Sequence, residues 1–134
     1  MAVKRVLSLL PRRLAVCRLE PGAPVPAWAL SGDFCSVTRA PGELSVVCAE
    51  ADLPPAAGAA GLRVERGFRA FRVEGPLDFQ LSGLLAGLLG PLARAGIPVL
   101  ALSTFDTDYL LVREARAQEA MRALGEAAEV RGAV

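Results

Sequence analysis

Apolar residues in this chain come in short, interrupted stretches, and that limits the folds open to it. The longest run without a charged residue covers residues 79–93 and is ended by Arg94. Elsewhere the apolar segments are strand-sized, as at residues 6–10 and 44–48, and Pro or Gly cuts them off. A membrane-spanning helix needs about 20 apolar residues, so none is expected. The pattern instead predicts an α+β domain of short strands with few helices.

Reading along the N-terminal half, residues 6–10 and 14–19 are strand candidates separated by Pro11. Residues 24–30 leave room for a short helix around Trp28 at most. Residues 34–39 and 44–48 flank Ala40-Pro41-Gly42-Glu43, a hairpin signal. Residues 52–61 form a linker or one helical turn, and 62–66 a weaker strand. In the C-terminal half, residues 69–74 alternate as a strand and Gly75-Pro76-Leu77-Asp78 breaks it. A helix then runs to about Ala95, with Gly96 placed as its terminator. Residues 98–103 and 109–113 are strands joined by Phe105-Asp106-Thr107-Asp108, and residues 115–128 a final helix.

The halves repeat one pattern. Residues 37–47 align with 102–112 at an offset of 65, and Arg18-Leu19-Glu20 with Arg72-Val73-Glu74 at an offset of 54. The missing segment amounts to about three helical turns, so the first copy holds only a stub where the second holds a helix. Each copy then reads as βαββαβ, with antiparallel strands and helices packed on one face. The expected division is a degenerate half at 1–66 and a fuller one at 67–134.

Composition removes several functions. There is no histidine, which excludes Ser–His and Cys–His nucleophile pairs and His-ligated metals. Formal net charge is +1, and the basic residues show no excess in either half: 8 against 6 acidic over residues 1–67, 7 against 8 over 68–134. Nucleic acid is therefore not an expected partner. Cys17, Cys35 and Cys48 lack C-x-x-C spacing and sit among apolar neighbours, which reads as buried, reduced thiols in a cytoplasmic protein. Residues 6–10 are too short for a signal-peptide core. No P-loop or calcium-loop spacing is present. No catalytic residue, metal or cofactor is expected.

The last helix is amphipathic, with Ala117, Ala120, Met121, Leu124, Ala127 and Ala128 opposite Glu119, Arg122 and Glu126. The earlier one carries a core stripe of Leu81, Leu84, Leu85, Leu88, Leu92 and Ala95. Its other side holds Gly83, Ala86, Gly87, Gly90 and Ala93, with Arg94 as the only charge. Each interior glycine costs a helix about 0.8–1.0 kcal/mol relative to alanine. Close packing against a second protomer would offset that cost; simple tolerance of small residues is the plainer reading.

Two polar clusters fall at strand ends. The first, Glu74-Gly75-Pro76-Leu77-Asp78-Phe79, leads to Ser82 and Gly83 at the start of the helix; the second is Ser103-Thr104-Phe105-Asp106-Thr107-Asp108-Tyr109, where Ser103, Thr104, Phe105, Asp106 and Asp108 are the binding candidates. A βαββ unit brings the two together. Helix amides suit a carboxylate, and the aspartates suit an ammonium group, so the set complements a free amino acid. Asp78 reads equally well as a plain N-cap, and Asp106 and Asp108 as turn residues.

The strings Phe71-Arg72-Val73-Glu74-Gly75-Pro76-Leu77-Asp78-Phe79, Ser82-Gly83-Leu84-Leu85-Ala86, and Leu92-Ala93-Arg94-Ala95-Gly96-Ile97-Pro98-Val99 resemble a branch of the ACT-domain family. So does the segment from Leu102 to Val112, and Gly42-Glu43-Leu44-Ser45-Val46-Val47-Cys48 resembles a degenerate first ACT half. The likeness is to paired ACT-like modules, found as small stand-alone bacterial proteins and in CASTOR-type arginine sensors. It implies tandem ferredoxin-like βαββαβ units, assembly through sheets and helices, and amino-acid binding where ACT units meet. It points to Gly75–Phe79 with Gly83, and to Ser103–Asp108. The resulting expectation is a non-enzymatic amino-acid sensor, a homodimer that covers its small-residue helix face, acting on an unidentified regulated protein. The alternative is a structural or interaction module that uses the fold without a ligand.

Overall fold

A computed structural model of the chain describes residues 5–55, 57, 61–75 and 82–134. Among the described residues there are eight strands and two α-helices, a mixed α+β fold. They follow the order β1 (Arg5–Leu9), β2 (Leu14–Leu19), β3 (Cys35–Ala40), β4 (Glu43–Ala49), β5 (Arg63–Val73), α1 (Leu84–Arg94), β6 (Leu100–Ser103), β7 (Asp108–Arg113), α2 (Ala117–Leu124) and β8 (Ala128–Arg131). Two compact units result, Arg12–Gly67 and Met1–Pro11 with Phe68–Val134.

In the Arg12–Gly67 unit, β4 pairs antiparallel with β2 on one side and β3 on the other. Ala15, Cys17, Ala29, Val46 and Cys48 form its core, with Trp28, Val37 and Val64 packed against them. The helix stub is a 3-10 turn at Ala27–Leu30. Pro26 precedes it in extended backbone, and Gly32 follows at φ +80°, so there is room for one turn only. Cys35 departs from the expected burial. It lies exposed on β3, whereas Cys17 and Cys48 are buried.

In the other unit the strand order is β6-β7-β5-β1-β8. The first strand β1 was expected in the N-terminal half, but Leu7 and Leu9 pair with Val73 and Phe71 of β5 and are buried in this unit's core. A second departure is that β8 runs parallel to β1, where only antiparallel pairing was expected. Leu9, Phe71 and Leu110 lie across β1, β5 and β7 as one row, and α1 and α2 cover it with Leu88, Leu92, Ala117, Ala120 and Leu124. Burying each large apolar side chain contributes about 1.5–3 kcal/mol. That sum is what holds an interior Pro91 in α1, although proline removes a helical hydrogen bond. Gly96, at φ +71°, terminates α1, and its N–H reaches the Ala93 carbonyl at 3.0 Å.

Two more boundaries differ from the sequence reading. The final helix stops at Leu124, and Ala128–Arg131 becomes β8 because β1 offers it a partner. The separate strands expected at 62–66 and 69–74 are one strand, β5. Gly67 keeps it continuous at φ +81°, with its N–H donated to Glu50 Oε1 at 2.8 Å.

The internal offsets reappear as element boundaries. Cys35, Glu43 and Arg63 open β3, β4 and β5, and 65 residues later Leu100, Asp108 and Ala128 open β6, β7 and β8. Leu14–Leu19 of β2 maps at an offset of 54 onto residues 68–73 of β5. Between these stretches one unit has the four-residue 3-10 turn and the other the eleven-residue α1.

Candidate functional site

The connection between β6 and β7 is held by side chains. Ser103 and Asp108 face each other in the ladder, and Ser103 Oγ donates to Asp108 Oδ1 at 2.6 Å. The Thr104 N–H donates to the Thr107 carbonyl at 2.8 Å, and the Thr107 N–H to Thr104 Oγ1 at 3.3 Å. Thr107 is only 3% exposed, and its hydroxyl donates to the Val73 carbonyl at the end of β5. A buried donor and acceptor satisfied in this way fix the hairpin to that strand. Phe105, by contrast, is 79% exposed, and Asp106 is exposed beside it.

From Val73 the chain runs through Glu74, which accepts hydrogen bonds from Ser8 Oγ at 2.6 Å and from Arg72 Nη1 at 3.1 Å. Gly75 follows, exposed. Leu77, Asp78 and Phe79 lie outside the described residues, as does Leu81 of the expected core stripe. Ser82 is exposed, and Gly83, which has no side chain to cap with, is the N-cap of α1 at φ +79°. The structure therefore brings Ser103, Thr104 and Asp108 into one network and ties that network to the strand leading to Gly75. Phe105 and Asp106 stand exposed in the same connection.

The small-residue side of α1 faces outward. Gly83, Ala86, Gly87 and Ala93 are exposed and Gly90 is half-buried. Arg94 pairs with Glu126 of the segment after α2 at 3.3 Å. Thr107 lies in the expected hairpin cluster but not among its binding candidates, and the structure gives it the anchoring role. Leu110, Leu111 and Val112 of β7 are all buried, so alternation along the strand does not set Thr107 apart. Among the described residues no cluster of three His, Cys, Asp or Glu could hold a metal, and no helix is long and apolar enough to cross a membrane.

This arrangement can be set beside known proteins. Residues 63–126, from β5 through α2, match the ACT domain. Residues 13–56 match a model of an N-terminal domain. No curated protein matches. A protein of Agrobacterium tumefaciens of known structure is 33% identical, covering 97% of this chain and 94% of its own, at a TM-score of 0.85. A Vibrio cholerae protein of unknown function is 25% identical, covering 94% and 91%, with a TM-score of 0.72. The ligand-free regulatory subunit of aspartate kinase from Thermus thermophilus shares the fold, at 15% identity, 95% and 99% coverage and a TM-score of 0.63. Residues 63–126 thus carry an ACT-domain match, and the chain belongs to one family with the Agrobacterium protein. An ACT domain is a regulatory domain.

Proposed function

We propose that the chain is a non-enzymatic, cytoplasmic sensor of a small amino acid, built from two paired ACT-like units of the CASTOR type. The N-terminal unit is the degenerate one. Its ferredoxin-like βαββαβ order is supported by the strand starts that recur at an offset of 65, with a 3-10 turn standing for the missing helix. The observation that carries the ligand reading is the Ser103–Asp108 network anchored through Thr107 to Val73. It holds a carboxylate and hydroxyls in place next to the strand that leads to Gly75, Leu77, Asp78 and Phe79. In this reading Asp108 or Asp78 receives the ammonium group, and the α1 amides after Ser82 and Gly83 receive the carboxylate. Thr104, Phe105 and Asp106 complete the surround.

Isothermal titration of the purified chain against the twenty amino acids tests this. Binding of one or a few is expected; silence across all of them at millimolar concentration refutes it. The outward side of α1, with Gly83, Ala86, Gly87, Gly90 and Ala93 carrying no charge, supports a homodimer and also the second reading, a module used only for assembly with a protein partner. Asp108→Ala separates the two: the sensor loses its ligand and keeps its mass by light scattering, and the assembly module has no ligand to lose.

A further inference from the structure

The three cysteines share one face of the Arg12–Gly67 sheet. Cys48 on β4 lies opposite Ala15 of β2 on one side and opposite Cys35 of β3 on the other. Cys17, Val46 and Val37 form the neighbouring row on the same face. Cys17 and Cys48 are buried at 1% and 0%, whereas Cys35 is exposed. Within the core the Cys48 thiol donates a hydrogen bond to Cys17, which lowers Cys17 and, together with burial, raises Cys48 above the ordinary thiol value.

The register decides which sulfurs can be joined. Pro41-Gly42 is a two-residue turn closed by Ala40 and Glu43, and the closing pair of such a hairpin is hydrogen-bonded. Alternating back along the ladder puts the Cys35–Cys48 pair at a non-hydrogen-bonded position, where opposed Cα atoms approach to about 4.5 Å. A disulfide accepts Cα separations of about 4.4–6.8 Å, so this pair can be bridged without moving the backbone. Cys17 is diagonal to Cys48, at the roughly 7–8 Å typical of diagonal neighbours, beyond that window.

We propose that Cys35 and Cys48 form a redox couple in which the exposed thiol meets the oxidant and the buried one resolves it. With a hydroperoxide as oxidant, the Cys35 thiol loses its proton, the thiolate takes the terminal oxygen as the O–O bond breaks, and that proton ends on the departing hydroxide or alkoxide. The products are a sulfenic acid and water or the corresponding alcohol. The Cys48 sulfur then displaces the sulfenic hydroxyl, which leaves as water with the Cys48 proton. One S–S bond forms and one S–O bond breaks; the two thiols lose two electrons and the hydroperoxide gains them. The product staples β3 to β4. Burial keeps Cys48 out of reach until Cys35 has reacted, and Cys17 stays reduced.

Trypsin places the three cysteines on separate peptides, residues 14–18, 19–39 and 40–63. The folded chain is treated with hydrogen peroxide and digested without reductant, and the peptides are weighed. The expected product is 19–39 joined to 40–63, lighter by two hydrogens than the free pair and released by dithiothreitol. Cys35→Ser, at an exposed position, abolishes the link and leaves Cys48 unmodified; Cys17→Ser retains it. Three results overturn the proposal: a link between 14–18 and 40–63, a link between two copies of 19–39, or conversion of Cys35 to sulfinic acid with no link. The wild-type map decides among these even where a core variant fails to fold.

Discussion

The hairpins β3–β4 and β6–β7 start at positions 65 residues apart, yet they are closed in different ways. Pro41-Gly42 joins the first pair through backbone geometry, and the Gly42 carbonyl accepts only a surface hydrogen bond from Arg18 Nη2 at 3.1 Å. In the second, four residues separate β6 from β7, and the hydroxyls of Ser103, Thr104 and Thr107 organise them. A tight turn is enough to connect two strands. A tip organised by side chains, with a buried threonine reaching the next strand, does more than connect: it holds polar groups in fixed positions. The same contrast runs between the helical segments, where Ala29 alone is buried in the 3-10 turn and Leu88, Pro91 and Leu92 are buried in α1.

Substitutions can break or sharpen this contrast. The largest effect is expected from Leu92→Ala, which empties a fully buried site and should cost about 2–5 kcal/mol in urea unfolding. Leu30→Ala, in the corresponding stub at 63% exposure, should stay within about 0.5 kcal/mol. Comparable losses at the two sites would mean that the stub carries a core of its own. Next comes Thr107→Val, which leaves the Val73 carbonyl without its donor and should destabilise by about 1–3 kcal/mol. Thr38→Val, exposed on β3, should fall within about 0.5 kcal/mol. Smaller still is Gly42→Ala: the added methyl meets nothing within 4 Å and φ is not positive there, so the melting temperature should hardly move. The least effect is a pH term from α2. Arg116 holds the Glu119 carboxyl below its ordinary value through a 2.8 Å hydrogen bond. A lowered carboxyl stabilises the fold above its unfolded value and loses that contribution as pH falls through the folded one. Glu119→Gln should therefore flatten the acid limb of the stability curve slightly and leave neutral pH nearly unchanged, as chemical unfolding across pH would show.

Local signals were enough for the elements whose boundaries are chemically marked. Residues 14–19 read as a strand and are β2, the Pro41-Gly42 turn sets its hairpin, and Gly96 ends α1. What the sequence concealed depends on distant pairing. Ala128 reads as the end of the last helix, and nothing marks Glu129-Val130-Arg131 as a strand until β1 supplies a parallel partner. Gly67 looks like a break until a positive φ and the Glu50 carboxylate carry β5 through it. The burial of β1 in the second unit is invisible in any local window, because its partners Phe71 and Val73 lie more than sixty residues away. At the candidate site, composition and turn position mark Ser103, Thr104 and Asp108 as candidates, and the hydrogen bonds of the hairpin run through all three. Thr107 lies in the same cluster, but its bond to the Val73 carbonyl depends on β5, which no local window shows.

Amide chemical-shift mapping by NMR, with the amino acid that binds best in titration, tests the central claim most directly. Shifts are expected at Ser103, Thr104 and Asp108, at Gly75, and at the amides that open α1, with the Ala40–Glu43 turn unmoved. Shifts confined to the Ala40–Glu43 turn, or no saturable shift anywhere, would contradict it.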